Sequence, residues 1–184
     1  MKKNRFILIS VLLIVTSVAL CACNSDKTVK KFVGYMNSSV NEVKSVKSEI
    51  EVKDGDTFVY GYTRNMTIQG TEADVETTET KLNSSFELSS STDVTHVNDV
   101  DRKTLIPVSI SLSGITAVTT GKTGFSCEIA PDNFASVLKL GYYGSIEGNA
   151  KLDCVFSGKK LTSVRCGYTT TSGKKVSVLY SYSY

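Results

Sequence analysis

The first two dozen residues constrain this chain more than any later stretch. Lys2, Lys3 and Arg5 form a positive cluster, and Phe6 to Leu20 is apolar apart from Ser10, Thr16 and Ser17. Small residues follow. A charged start, an apolar run and a small-residue end are the layout of a secretory signal. The apolar run is shorter than the roughly 20 residues that comfortably span a bilayer as a helix. The rest of the chain is therefore expected to fold outside the membrane.

The run ends in Leu20-Cys21-Ala22-Cys23. This resembles the bacterial lipobox, in which the last cysteine takes a diacylglyceryl group before cleavage. Cys23 fits that role. Cys21 does not, because Leu20 would then occupy a cleavage position that needs a small side chain. Each buried methylene contributes about 0.8 kcal/mol, so one acyl chain holds marginally and two hold stably. The expected organisation is a signal peptide over 1–22, a lipidated tether over 23–27 and one β-rich domain over 28–184. Loss of Lys2, Lys3 and Arg5 lowers the 21 basic residues to the level of the 18 acidic ones. A near-neutral mature chain with no basic run excludes a nucleic-acid partner.

Beyond the tether the hydrophobic period is helical. Val29, Phe32, Val33, Met36, Val40 and Val43 fall on one face, which predicts an amphipathic helix over about 26–44. From Ser45 the period becomes two. Val46, Ser48, Ile50 and Val52 alternate with charged residues, Asp54-Gly55-Asp56 reads as a turn, and Phe58, Tyr60 and Tyr62 resume the alternation. Residues 71–81 are rich in Glu and Thr and read as an edge strand or a loop. Phe86 and Leu88 mark a further strand, and Thr95 to Asn98 a short one. Thr104 to Val118 reads as a strand with Val108, Ile110 and Leu112 on one face and Pro107 near its start. Phe125, Cys127 and Ile129 follow. Pro131 then opens a short helix over 132–140, with Phe134, Val137 and Leu138 inward and Gly141 as its stop.

The last forty residues carry the clearest alternation. Ile146, Ala150, Leu152, Cys154 and Phe156 share a face, as do Val164, Cys166 and Tyr168, and then Val176, Val178, Tyr180, Tyr182 and Tyr184. These faces coincide only if both connecting loops are odd in length. Gly158-Lys159-Lys160 and Thr171-Ser172-Gly173 are read as those loops. The register then puts Val164 opposite Cys154 and Tyr180, and Cys166 opposite Leu152 and Val178. Cys154 and Cys166 become diagonal neighbours, about 7–8 Å apart, too far for a disulfide. Cys127 also points to the apolar side, within reach of one of the other two across the sheet, but the preferred reading is that all three are small buried hydrophobes.

The chemistry for catalysis is thin. The distal cysteines lack CxxC spacing, and His96 is the one histidine. Neither Asp54-Gly55-Asp56 nor Asp99-Val100-Asp101 continues into a calcium loop, and structural zinc needs ligands paired at short spacing. A Cys–His pair would need an accessible thiolate, whereas these cysteines face inward. The reading is a non-enzyme without metal or cofactor.

The order of elements is lipobox, amphipathic helix, antiparallel meander, short helix and closing hairpins. Asp101-Arg102-Lys103-Thr104-Leu105-Ile106-Pro107-Val108 looks like a D-x-K-T-x-x-P segment. Leu161-Thr162-Ser163-Val164 and Gly173-Lys174-Lys175-Val176-Ser177-Val178 look like the closing hairpins of small Gram-positive lipoproteins. Together these resemble the LolA-like half-barrel superfamily of lipoprotein carriers and lipid-binding envelope lipoproteins. The resemblance implies an α+β fold: a curved antiparallel β-sheet, or half-barrel, wrapping the N-terminal helix and the short second helix. It also implies an apolar cavity, for which Val33, Met36, Phe125, Ile146, Leu152, Phe156, Val164 and Tyr168 are the candidate lining. The expected function is a lipoprotein held at the extracytoplasmic face of a bacterial membrane by the lipid on Cys23, binding or shuttling a lipid or another apolar ligand. The alternative is a structural or interaction lipoprotein with a closed core and a protein partner.

Overall fold

A computed structural model describes residues 25–138 and 143–184. The expected signal peptide, the expected lipidation site Cys23 and the expected helix stop Gly141 lie outside the described residues. Helix α1 runs over 25–39 and tightens into a 3-10 turn at Val40–Glu42. It already includes 25–27, the stretch read above as tether. Val29, Phe32, Met36 and Val40 are buried on one face, with Lys30, Lys31 and Asn37 exposed on the other. The apolar stripe drives this helix onto the rest of the chain.

Nine antiparallel strands form one open sheet: β1 (Ser45–Asp54), β2 (Thr57–Gln69), β3 (Glu72–Leu82), β4 (Leu88–Val97), β5 (Thr116–Thr120), β6 (Gly124–Ile129), β7 (Ile146–Ser157), β8 (Lys160–Thr170) and β9 (Lys175–Ser183). The spatial order is β4-β3-β2-β1-β9-β8-β7-β6-β5. Two meanders thus join where the first strand pairs with the last, and β4 and β5 are the edges. The fold is α+β, with α1 and the short α2 (Pro131–Val137) as its helices.

The core lies between one sheet face and the helices. Phe32 of α1 lies against Phe156 at 4.8 Å and Phe125 at 6.1 Å between ring centroids. Burying one such ring stabilises by about 1.5–3 kcal/mol. On the sheet, Val52, Leu152, Val164 and Val178 are fully buried, while their strand neighbours point to the opposite, polar face. Backbones pack tightly where β6 meets β7: a Cβ on Gly124 would stand 2.0 Å from the Cys154 carbonyl oxygen, so no side chain fits there.

The closing hairpins keep the expected register. Val164 faces Cys154 and Tyr180, and Cys166 faces Leu152 and Val178. Thr170 N–H donates to the Lys174 carbonyl at 2.8 Å, closing a loop of Thr171, Ser172 and Gly173, with Gly173 at φ 77°. The other loop differs. Ser157 pairs directly with Lys160, and a bulge between Val155 and Phe156 restores the parity. The extra residue sits in the strand and not in the loop. Cys127, Cys154 and Cys166 are all unbridged.

Several expectations fail. Residues 72–82 form neither an edge nor a loop, but an interior strand between β2 and β4. Its threonines suit a strand, and Thr78 and Thr80 exchange hydroxyl hydrogen bonds with Thr92 and Ser90 at 3.0 and 2.9 Å. Apolar alternation is limited to Ala73 and Val75, which are buried, and gives way to half-buried Thr77, Thr78 and Thr80 farther along the strand. The strand marked by Phe86 and the short one at Thr95 to Asn98 are a single β4, and Phe86 sits in the turn before it at φ 62°.

The largest miss is Thr104 to Val118. Only Thr116–Thr120 joins the sheet, and the rest is a crossing with 3-10 turns at Arg102–Thr104 and Leu112–Gly114. The Asp101 side chain accepts from Lys103 N–H at 3.0 Å, and the Thr104 hydroxyl donates to the Asp101 carbonyl at 2.8 Å. These bonds turn the chain before a ladder starts, and Pro107 has no N–H to donate to one. α2 likewise ends at Val137, short of residue 140, where Leu138 makes an isolated bridge with Val108.

Arg102 pins the crossing. Its guanidinium donates to the carbonyls of Asn41 and Val43 at 3.0 and 2.9 Å, and to that of Gly70 at 3.0 Å. Charged donors to carbonyls contribute more than neutral ones. Arg102→Ala is expected to cost about 2–3 kcal/mol in urea unfolding. Arg102→Lys should recover less than half, since one ammonium cannot span three carbonyls as a planar fork does.

Candidate functional site

One groove of about 470 Å3 runs along α1. Its first wall is Val33, Met36 and Val40 with Asn37 and Asn41, and its second is Lys103, Ile106, Val108, Ser109 and Ile110. The helical period puts Val33, Met36 and Val40 on adjoining turns. The irregular path of the crossing, fixed by Arg102, sets the facing wall. The groove has an apolar floor and a polar rim, with Lys103 as its only cation among the described residues. Its size falls within the range of about 300–1,000 Å3 typical of small-molecule sites.

The residues read from sequence as cavity lining divide unevenly. Val33 and Met36 line the groove. Phe125, Leu152, Phe156, Val164 and Tyr168 are buried in the core, and Ile146 is packed against it. Tyr168 rests on Phe134 with ring centroids 4.9 Å apart, and its hydroxyl donates to the Tyr143 carbonyl at 3.2 Å while accepting from Tyr143 N–H at 2.7 Å. The sheet side chains thus serve packing. The groove's second wall was missed because the alternation of Val108, Ile110 and Leu112 suggested a strand. Pro107 and the turn-forming Asp101 were the signals against that.

The C-terminal tyrosine row also faces inward. Tyr180 and Tyr182 are buried, and Tyr182 donates to the Leu105 carbonyl at 3.3 Å. Tyr184 donates to the Leu161 carbonyl at 2.7 Å. Burial pushes the Tyr180 hydroxyl up to about 12. Tyr60 rises to about 12 as well, first from burial and then from its hydrogen bond to Glu79. Both phenols stay protonated at neutral pH.

The three thiols are buried, and burial raises Cys127 and Cys166 to about 12 and Cys154 well above its ordinary value. None offers a thiolate at neutral pH. Asp54-Gly55-Asp56 is the β1–β2 turn, with Gly55 at φ 59°. Asp99 and Asp101 border a smaller hollow of about 170 Å3 with Arg64 and Tyr180. Among the described residues no three His, Cys, Asp or Glu side chains converge to hold a metal ion. No described helix is long and apolar enough to cross a membrane.

No protein-family model matches this sequence, and no curated protein matches it.

His96 lies on the polar sheet face, with Nδ1 2.9 Å from Asp74 Oδ1 and Nε2 3.7 Å from Glu72 Oε2. The Asp74 hydrogen bond leads the effects that raise its pKa above the usual 6.5. The pair therefore stabilises the fold fully below pH about 6.5, and loses that contribution as pH rises through the folded-state value. As the sole histidine, it should titrate above 6.5 by NMR, and Asp74→Asn should move it back down.

Proposed function

We propose that this chain is a membrane-anchored extracytoplasmic lipoprotein, tethered by a lipid on Cys23, that binds or shuttles a lipid or another apolar ligand without catalysing a reaction. The observation that carries the reading is the groove of about 470 Å3 between α1 and the 103–110 segment. A groove whose accessible lining is about half polar and half apolar is what an amphiphilic ligand fits. Asn37, Asn41, Lys103 and Ser109 supply those groups. The occupant's apolar part would lie on the half-buried Val33, Ile106 and Ile110, above the buried Met36, Val40 and Val108. The LolA-like reading, with a sheet curved around its helices, belongs to the same proposal and rests on the order of elements and on the Asp101–Val108 segment.

A second reading has its own support. Six of the eight proposed cavity residues, Met36 among them, are buried in the core, and Phe32 packs on Phe156. A structural or interaction lipoprotein of the cell envelope, working through a protein partner, is consistent with that packing.

The test is native mass spectrometry of the chain purified from a bacterium. A mass excess of one or a few lipids, lost on denaturation, is expected. Val33→Trp, which fills the groove from its half-buried wall, should remove most of the excess and leave the unfolding midpoint within a few degrees. A clean apo mass would instead favour the closed-core reading. The anchor has a separate readout. Cys23→Ala should abolish incorporation of a radiolabelled fatty acid, and Cys21→Ala should leave it intact.

A further inference from the structure

The two sheet edges are built differently. β5 has five residues, and its pairing with β6 is broken by a register shift between Thr116 and Thr119. Short, bulged edges resist further pairing. β4 has ten residues, pairs with β3 from Leu88 to Val97 without a shift, and contains neither Lys nor Pro. Its residues are exposed on both faces except for half-buried Val97. Four large apolar side chains are exposed among the described residues, and three of them, Phe86, Leu88 and Val94, lie on β4 or in the turn leading into it.

The hydrogen-bond alternation of the sheet fixes which β4 groups are free to pair. Ile68 N–H donates to the Lys44 carbonyl at 2.8 Å, and Asn83 N–H to the Glu87 carbonyl at 2.9 Å. Antiparallel strands alternate bonded and non-bonded pairs. The odd-numbered residues of β4 therefore direct their peptide groups to β3. Leu88, Ser90, Thr92 and Val94 present theirs to the open edge.

We propose that two copies of this chain pair antiparallel through β4, about a two-fold axis at Ser91, so that the two nine-stranded sheets run into one another. In this register Leu88 of each copy lies opposite Val94 of the second, and Ser90 opposite Thr92. Those four residues exchange main-chain hydrogen bonds. The two exposed apolar side chains of the strand, 63% and 70% accessible, cover each other twice. Asp93 faces Ser89, so no like charges are opposed.

The neighbouring registers lack this match. An axis at Thr92 sets Leu88 against His96 and leaves Val94 against Ser90. An axis at Asp93 sets two carboxylates face to face, and one at Ser90 sets Asp93 against Glu87. Like charges directly opposite destabilise a strand pair. The strand is thus self-complementary in one register, as an isologous interface requires.

Ser91 would form a non-hydrogen-bonded pair with its copy. The backbones there approach to about 4.5 Å, within reach of a disulfide. The test uses the full chain in mild detergent with Ser91→Cys, and the parent chain as control for its own cysteines. Under mild oxidation, Ser91→Cys should give a disulfide-linked dimer well above the parent level. Ser89→Cys and Asp93→Cys, each displaced from the axis, should not. Adding Val94→Lys should reduce the Ser91→Cys cross-link at least tenfold, and circular dichroism should show the fold retained. Cross-linking of Ser91→Cys at the parent level would overturn the proposal. So would stronger cross-linking of Asp93→Cys, or a folded Val94→Lys chain that cross-links as before.

Discussion

The fold depends on satisfying the backbone of a segment that belongs to no ladder. The chain must pass from one edge of the sheet at β4 to the other at β5, and it does so across the helix-bearing face. A loop in that position carries peptide groups that water does not reach freely, and each one left unpaired costs stability. Arg102 meets much of that need from outside the segment. It gathers the carbonyls at the end of α1 and at the β2–β3 turn. Tyr182 then donates to Leu105, and Ser109 N–H donates to Val137 at 2.8 Å. The crossing is fastened in turn to the helix, the sheet and α2. The groove follows from this, because a fastened but irregular segment cannot pack ridge into groove along α1.

What was legible in the sequence was whatever carried one apolar face. The α1 stripe, the β1–β2 hairpin and the registers of β7, β8 and β9 all follow from periodicity, because one side of each is buried and the period then fixes which. β3 and β4 were blurred for the converse reason. β4 has solvent on both faces, and on β3 only Ala73 and Val75 are buried, so the half-buried Thr77, Thr78 and Thr80 need not alternate with apolar residues, and strand propensity alone remained. The crossing was misread because Val108, Ile110 and Leu112 do alternate, yet only Val108 is fully buried, and it bridges to Leu138 instead of entering a ladder. Side-chain period reports burial and not backbone pairing. Half of the groove was therefore visible as a helix face, and its other wall was not.

The sheet has two regimes. Over β1 and β6 to β9 the helices cover it, and the side chains there close into a core that holds even three cysteines without a bridge. Over the far end of β2, β3 and β4, stability comes from cross-strand polar pairs, such as Thr78 with Thr92 and Thr80 with Ser90. Exposed pairs of this kind contribute little each. Such a region opens at lower free energy than the core, and a second strand added at β4 would stabilise it most.

Geometry also bears on how a tethered binder could work. The first described residue of α1 is Ser25, two positions after the proposed anchor Cys23. A helix rises 1.5 Å per residue, which puts Met36 on the order of 17 Å along the axis from its first turn. Whatever their conformation, the two residue steps from Cys23 to Ser25 reach at most about 7 Å. The groove would then stay close to the bilayer surface, whatever the helix tilt. A long flexible linker would suit a carrier crossing an aqueous gap. A short one suits exchange with the membrane that holds the protein, or presentation of a ligand to a partner in that same membrane. The β4 edge lies at the far end of the strand order from the helix-covered core strands. Pairing there would leave the groove of each copy open.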